Sequence, residues 1–187
     1  MDIYFEKSIG KILRKYFENS KNIVIVSTFL SSKLSEYIKN LSKNKNILLI
    51  TSNDKSFYHQ KALRNLQKIK IKPLYFAIFL ILSLLFFIVT LSNFLFIILF
   101  LLSLIFLFKF GLKYEFIIPV IIFNRDKFIH AKIYIFDNRI LFFSSANMTY
   151  SGFYENYEFL IKIEDSKLIK EIIQKLENIL KIKINML

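Results

Sequence analysis

The stretch His130–Glu158, HAKIYIFDNRILFFSSANMTYSGFYENYE, decides how the rest of the chain is read. In an extended chain successive side chains alternate between faces, so His130 and Lys132 project together at the head of an apolar, β-branched run. Asp137 has the opposite parity and, with Asn138, makes a turn into a second strand, Ile140–Phe143. Ser145 and Asn147 share a parity just beyond that strand, and Asn156 and Glu158 share one at the start of a third, Tyr157–Ile163. Three strand ends can therefore deliver an imidazole, an ammonium, a hydroxyl, a carboxamide and a carboxylate to one place.

That set suits phosphoryl transfer. An imidazole can attack phosphorus, Lys and Asn can neutralise and orient the non-bridging oxygens, and a carboxylate can hold the imidazole tautomer. No metal is needed if the cationic cradle takes the charge. Each residue also has an ordinary use: a histidine ahead of an apolar strand is commonly structural, and Ser-Ser-Ala-Asn-Met-Thr alone is a turn or a helix cap. The spacing separates the two readings.

Outward from this stretch, the first seventy or so residues alternate helix and strand. Tyr4 to Glu18 has helical spacing at Ile9, Ile12, Leu13, Tyr16 and Phe17. Asn22–Phe29 (NIVIVSTF) and Asn46–Thr51 (NILLIT) read as buried strands. Ser31 or Ser32 can cap the helix between them, which carries Leu34, Tyr37, Ile38 and Leu41. Asp54 to Lys68 reads as a basic helix. The βαβα order predicts a parallel pair with a right-handed crossover. Glu115–Phe123 and Phe128–Phe136 are predicted strands, and a terminal amphipathic helix runs from Ser166, its N-cap, to about Ile182.

Between Leu74 and Phe108 there is no charged residue. One helix over that run would be roughly 50 Å long, against a hydrocarbon core of about 30 Å. Two helices, about 73–91 and 94–112, turning at Ser92-Asn93, fit better. Lys68, Lys70 and Lys72 before the run and Lys109 and Lys113 after it place both ends on the cytoplasmic side. The expectation is a multi-pass membrane protein, with both termini and the active site cytoplasmic and the bilayer as a partner; a re-entrant or interfacial hairpin is the alternative. Residues 1–72 and 113–187 then form two halves of one α/β domain, with the hairpin 73–112 inserted between them.

Composition narrows the chemistry. The chain is 55% hydrophobic, with 22 Phe and a net charge of +13, which suits anionic partners such as nucleic acid or lipid headgroups. No cysteine means no disulfide and no thiolate zinc site, and two histidines make a His-rich metal site unexpected. Met1 to Glu18 has no apolar segment ahead of a cleavage site, so no signal peptide is expected.

His130, Lys132 and Asp137, followed by Ser145 and Asn147, resemble the HKD motif of the phospholipase D superfamily: H-x-K, four residues, D, six residues, G-S-x-N. Ser144 stands where that family usually has glycine. Asn147-Met148-Thr149, Gly152-Phe153 and Asn156-Tyr157-Glu158 resemble the family's downstream text, and NIVIVSTF followed by NILLITS is similar, less specifically, to the start of such domains. The resemblance implies a phospholipase-D-like mixed β-sheet flanked by helices, here interrupted by the two-helix transmembrane hairpin. It implies that His130 is a nucleophile forming a phosphohistidine, that Lys132 and Asn147 bind the phosphate with Ser145 in support, that Glu158 orients a histidine, and that Asp137 is structural. It implies a metal-independent phosphodiesterase with no cofactor.

Family members use two histidines per active site. His59, the other histidine, sits in His59-Gln60-Lys61, which imitates H-x-K, but Leu66 stands at the aspartate spacing and no Ser-x-Asn follows. On a helix, residues two apart do not share a face. The resemblance therefore implies a homodimer with both His130 residues at a two-fold interface. The expected function is a membrane-anchored phosphodiesterase acting on nucleic acid or phospholipid. The competing function is a binding or scaffold protein that keeps the fold without turnover.

Overall fold

Asn22–Ser27 (β2) and Asn46–Ser52 (β3) carry unbroken apolar runs, Ile23–Val26 and Ile47–Ile50, and are buried at nearly every position, as a strand is when both its faces are covered. In the computed structural model, which describes residues 1–89, 98, 100–102, 104, 105, 107–123, 130–181 and 184, they lie at the middle of the main sheet. They pair in parallel, Ile23 opposite Ile47 through Ser27 opposite Thr51, across the crossover helix α2 (Ser32–Leu41).

The remaining elements are β1 (Asp2–Lys7), α1 (Gly10–Asn19), α3 (Phe57–Asn65), β4 (Gln67–Ile71), α4 (Pro73–Val89), β5 (Leu112–Phe116), β6 (Val120–Phe123), β7 (Ile133–Phe136), β8 (Ile140–Ser144), α5 (Tyr150–Tyr154), β9 (Tyr157–Ile163) and α6 (Ser166–Leu180). Among the described residues, seven strands form one mixed sheet in the order β1-β9-β8-β7-β2-β3-β6. One face, with Ile23, Ile25, Leu49, Tyr134 and Phe142, packs on Leu13 and Phe17 of α1, Leu34 and Ile38 of α2 and Leu63 of α3. The other, with Val24, Val26, Leu48, Ile135 and Leu141, packs on Ile169, Ile173 and Leu176 of α6. Alternation along each strand sends successive residues to the two cores. The mixed, helix-flanked α/β sheet and the parallel pair are as the sequence predicts.

Several boundaries differ. The helix predicted from Tyr4 starts at Gly10, because Asp2–Lys7 pairs antiparallel with β9, Ile3 opposite Ile161 and Phe5 opposite Phe159. Ser8, at φ 70, turns the chain out of that strand. The strand predicted over Glu115–Phe123 is two strands: Pro119 lacks an N–H, Ile117 N instead donates to Leu66 O (2.8 Å), and only Val120–Phe123 pairs with β3. Asp165, not Ser166, caps α6: its Oδ1 accepts from Lys167 N (2.8 Å) and Leu168 N (3.1 Å).

The chain divides into two compact units, Met1–Leu66 with Phe116–Leu187, and Gln67–Glu115. In the second unit β4 pairs with β5, Lys72 N donates to Gly111 O (2.7 Å), and the Glu115 carboxylate lies 3.1 Å from Lys113 and 3.6 Å from Lys70. The expectation of a multi-pass membrane protein with a transmembrane hairpin is overturned here. No helix among the described residues is long and apolar enough to cross a membrane. α4 has 17 residues, so it extends about 25 Å at about 1.5 Å per residue, short of a hydrocarbon core of about 30 Å. The second predicted helix does not reach Leu112 either: Leu107–Gly111 is a π-helical turn and Leu112 opens β5. The predicted turn at Ser92-Asn93 lies outside the described residues.

Candidate active site

β7 runs antiparallel to both its neighbours, β2 and β8, and β8 runs antiparallel to β9. The start of β7, the ends of β2 and β8 and the start of β9 therefore meet at one end of the sheet. His130 and Lys132 lie just ahead of β7, Ser145 and Asn147 just after β8, and Glu158 near the start of β9. The strand predicted from Phe128 begins at Ile133; Phe128 and Ile129 lie outside the described residues. The ladder nevertheless reaches Lys132, whose carbonyl accepts from Ser144 N (3.0 Å).

His130 is exposed and Lys132 half-buried. The Lys132 ammonium donates to His130 O (2.9 Å) and stands 3.3 Å from His130 Nδ1. An ammonium can only donate, so this contact uses the Nδ1 lone pair. On the neighbouring strands Ser145 Oγ donates to Glu158 Oε2 and itself accepts from Phe159 N (3.1 Å). Asn156 Nδ2 donates to Glu158 Oε1 (3.3 Å). The sequence gives Asn156 the same strand parity as Glu158 and no role; its signal is the Asn156-Tyr157-Glu158 text itself. Asn147 Oδ1 accepts from Phe29 N (3.4 Å), which sets the amide so that Nδ2 is the donor turned away from the β2 loop. The structure thus brings His130 to Lys132, Ser145 to Glu158, and Asn147 to the loop after β2.

Ser144 is buried, and its hydroxyl is integrated into the sheet end: Oγ donates to Phe159 O (3.0 Å) and accepts from Ala146 N (3.0 Å). A glycine there would leave Ala146 N to find another partner, while Phe159 O would keep its bond from Ser145 N (3.2 Å).

Asp137 lies at the opposite end of β7. It and Asn138 have φ of 49° and 54°, with Arg139 N donating to Phe136 O (3.0 Å), the signature of a type I′ turn. Asp137 Oδ1 accepts from Lys21 N (3.0 Å) and Asn22 N (2.8 Å), tying the β7–β8 turn to the start of β2 beside a cavity of about 490 Å³. Asp137→Ala is expected to orphan those two amides and cost about 1–3 kcal/mol, read as a lower urea midpoint at unchanged slope.

His59 is also near the β2 end, buried at 1% exposure. Its Nε2 hydrogen bonds to Ser52 O (3.0 Å), which only a ring N–H can do, so Nδ1 is the acceptor for Leu30 N (3.1 Å). Burial holds its pKa below the ordinary value, against opposing pulls from the Ser52 carbonyl and Asp54. The unfolded chain therefore binds a proton that the folded one resists, and this contribution is present above the unfolded pKa of about 6.5 and lost as pH falls below it. Stability is expected to drop between about pH 7 and pH 5, with a shallower drop in His59→Phe, as followed by urea unfolding.

Among the described residues there is no group of three or more His, Cys, Asp or Glu placed to hold a metal.

The family profile described as cardiolipin synthase, phospholipase-D-like domain, matches residues 111–180, the segment that carries every one of these candidate residues. No curated protein matches the chain. Among solved structures, the chain is similar to a phospholipase D family member, Nuc from Salmonella typhimurium, with a TM-score of 0.59 at 11% identity, covering 95% of this chain and 91% of that one. It is similar to NucT from Helicobacter pylori, with a TM-score of 0.54 at 13% identity and coverage of 96% and 94%. A phosphatidylserine synthase from Haemophilus influenzae matches with a TM-score of 0.50 at 12% identity, covering 95% of this chain and 38% of that one. Identities this low speak for the fold alone. Residues 111–180 thus resemble a phospholipase-D-like domain, and the chain shares the architecture of these structures, a mixed sheet flanked by helices.

Proposed function

We propose that the chain is a phosphodiesterase that works through a phosphohistidine on His130. The observation that carries this reading is the contact between His130 and Lys132 at the sheet end where Ser145, Asn147 and Glu158 also emerge. In the first step a ring nitrogen of His130 forms a bond to phosphorus as the P–O bond to the leaving alcohol breaks. Lys132 and Asn147 Nδ2 neutralise the non-bridging oxygens, which requires the ammonium to turn from the imidazole onto the phosphate. Glu158, held by Ser145 and Asn156, takes the role of steadying an imidazolium in this reading. In the second step water breaks the N–P bond and restores His130.

The departing alkoxide takes its proton from a second histidine. His59 is not that residue: it is buried with both ring nitrogens engaged. We take the acid to be His130 of a second copy, in a two-fold dimer. The chain matches the Salmonella protein nearly end to end, while the phosphatidylserine synthase is more than twice as long as the region matched. Nucleic acid is accordingly the favoured substrate over phospholipid.

The test is hydrolysis of bis(p-nitrophenyl) phosphate, then of single-stranded DNA and of phospholipid in detergent micelles, by purified protein. Turnover of the generic diester supports the reading, and binding of DNA without any turnover replaces it with a binding protein. Sedimentation under assay conditions is expected to show a dimer; a fully active monomer contradicts the shared site.

A further inference from the structure

We infer that His59 is a positioning residue for the candidate site, holding the loop after β2 so that its backbone sets the Asn147 carboxamide. As regards turnover, this rests on the function proposed above. The loop Thr28–Ser31 is gripped from two sides. On one side Phe29 N donates to Asn147 Oδ1, Met148 N to Ser27 Oγ (2.7 Å), and Ser31 N to Met148 O (3.1 Å). On the other, the next amide along, Leu30 N, donates to His59 Nδ1, and the His59 ring stands edge-on to Phe29 at 6.3 Å.

Leu30 N and Phe29 N belong to consecutive residues, so fixing Leu30 N on the imidazole restrains the backbone that presents Phe29 N to Asn147. The far nitrogen of the same ring is fastened to Ser52 O at the end of β3, so the loop is referenced to the sheet. A merely space-filling residue at position 59 would be apolar. A buried imidazole with both nitrogens bonded offsets its desolvation only by serving two backbone groups that would otherwise be orphaned. The β2 loop reaches the chemistry through Asn147, whose Nδ2 is left to face the phosphate only while Oδ1 is occupied.

Two variants and one background test this. His59→Phe keeps a ring against Phe29 but removes the acceptor; His59→Gln retains an acceptor and a donor. His59→Phe is expected to lower kcat about 100-fold with KM little changed, the scale of a catalytic group set off by about 1 Å. His59→Gln is expected to recover most of that loss. In an Asn147→Ala background His59→Phe should cost little more, since both act through one carboxamide. An equal loss in both backgrounds, or none in wild type, overturns the inference. Amide hydrogen exchange reads the tether without turnover. Exchange at Phe29 and Leu30 should quicken in His59→Phe and stay native in His59→Gln, and unchanged exchange at Leu30 also overturns it. If the wild type shows no turnover, the proposed function fails and the exchange result alone decides the tether.

Discussion

His130→Ala is expected to lower hydrolysis of a generic phosphodiester by at least about 10³-fold, because it removes the atom that forms the bond to phosphorus and not merely an interaction with substrate. His130 is exposed and sits ahead of β7, so the variant should unfold at the wild-type urea midpoint. That separation makes the measurement clean: lost activity with unchanged stability belongs to chemistry. Wild-type protein quenched in alkali during turnover should carry on His130 the phosphoryl group with its remaining ester substituent, since the N–P bond survives base and not acid. Equal rates for wild type and variant would sink the nucleophile assignment while leaving a phosphate-binding role for Lys132 and Asn147.

Gly152→Ala is expected to damage both stability and activity from a position that touches no substrate. A Cβ on Gly152 would stand 2.8 Å from Asn147 O, 3.1 Å from Thr149 Oγ1 and 3.4 Å from Ala146 Cβ. The first neighbour is backbone and cannot rotate away. α5 begins at the Thr149 cap, whose Oγ1 accepts from Gly152 N (3.2 Å), so the helix cannot back off without losing that bond. The relief is a shift of Asn147 itself. Overpacking of this kind costs about 1–3 kcal/mol, and a displaced carboxamide about 100-fold in kcat. Unfolding by urea and a rate assay at low temperature, where the variant remains folded, read the two effects separately. Wild-type kcat at reduced stability would show that Asn147 has not moved, or that its placement does not matter.

The text of His130–Glu158 was informative because strand parity and short turns are local properties. Asp137-Asn138 forms the predicted turn, and β7, β8 and β9 follow the predicted order with shifted ends. Tyr4 was misread because the helical spacing that begins at Ile9 was extended back over residues whose strand pairing with β9 involves partners about 150 residues away. The apolar run misled for a different reason. Hydropathy counts residues without knowing their conformation, and among the described residues of the run α4 covers Pro73–Val89 and the chain is in a π-helical turn from Leu107.

The sequence by itself determined the strand alternation and the parallel β2–β3 pair, since each depends on residues close together in the chain. Tertiary structure alone decided that β7 lies between β2 and β8, and so that the loop after β2 meets Asn147. It alone decided that Ser144 bridges two backbone groups, that Glu158 is held by Ser145 and Asn156, and that His59 is a clamp. Apart from the short-range bonds of Asn156 and Ala146, these are contacts between residues far apart in sequence. Which of them form is set by strand order and burial, and periodicity along one strand carries no information about its neighbour.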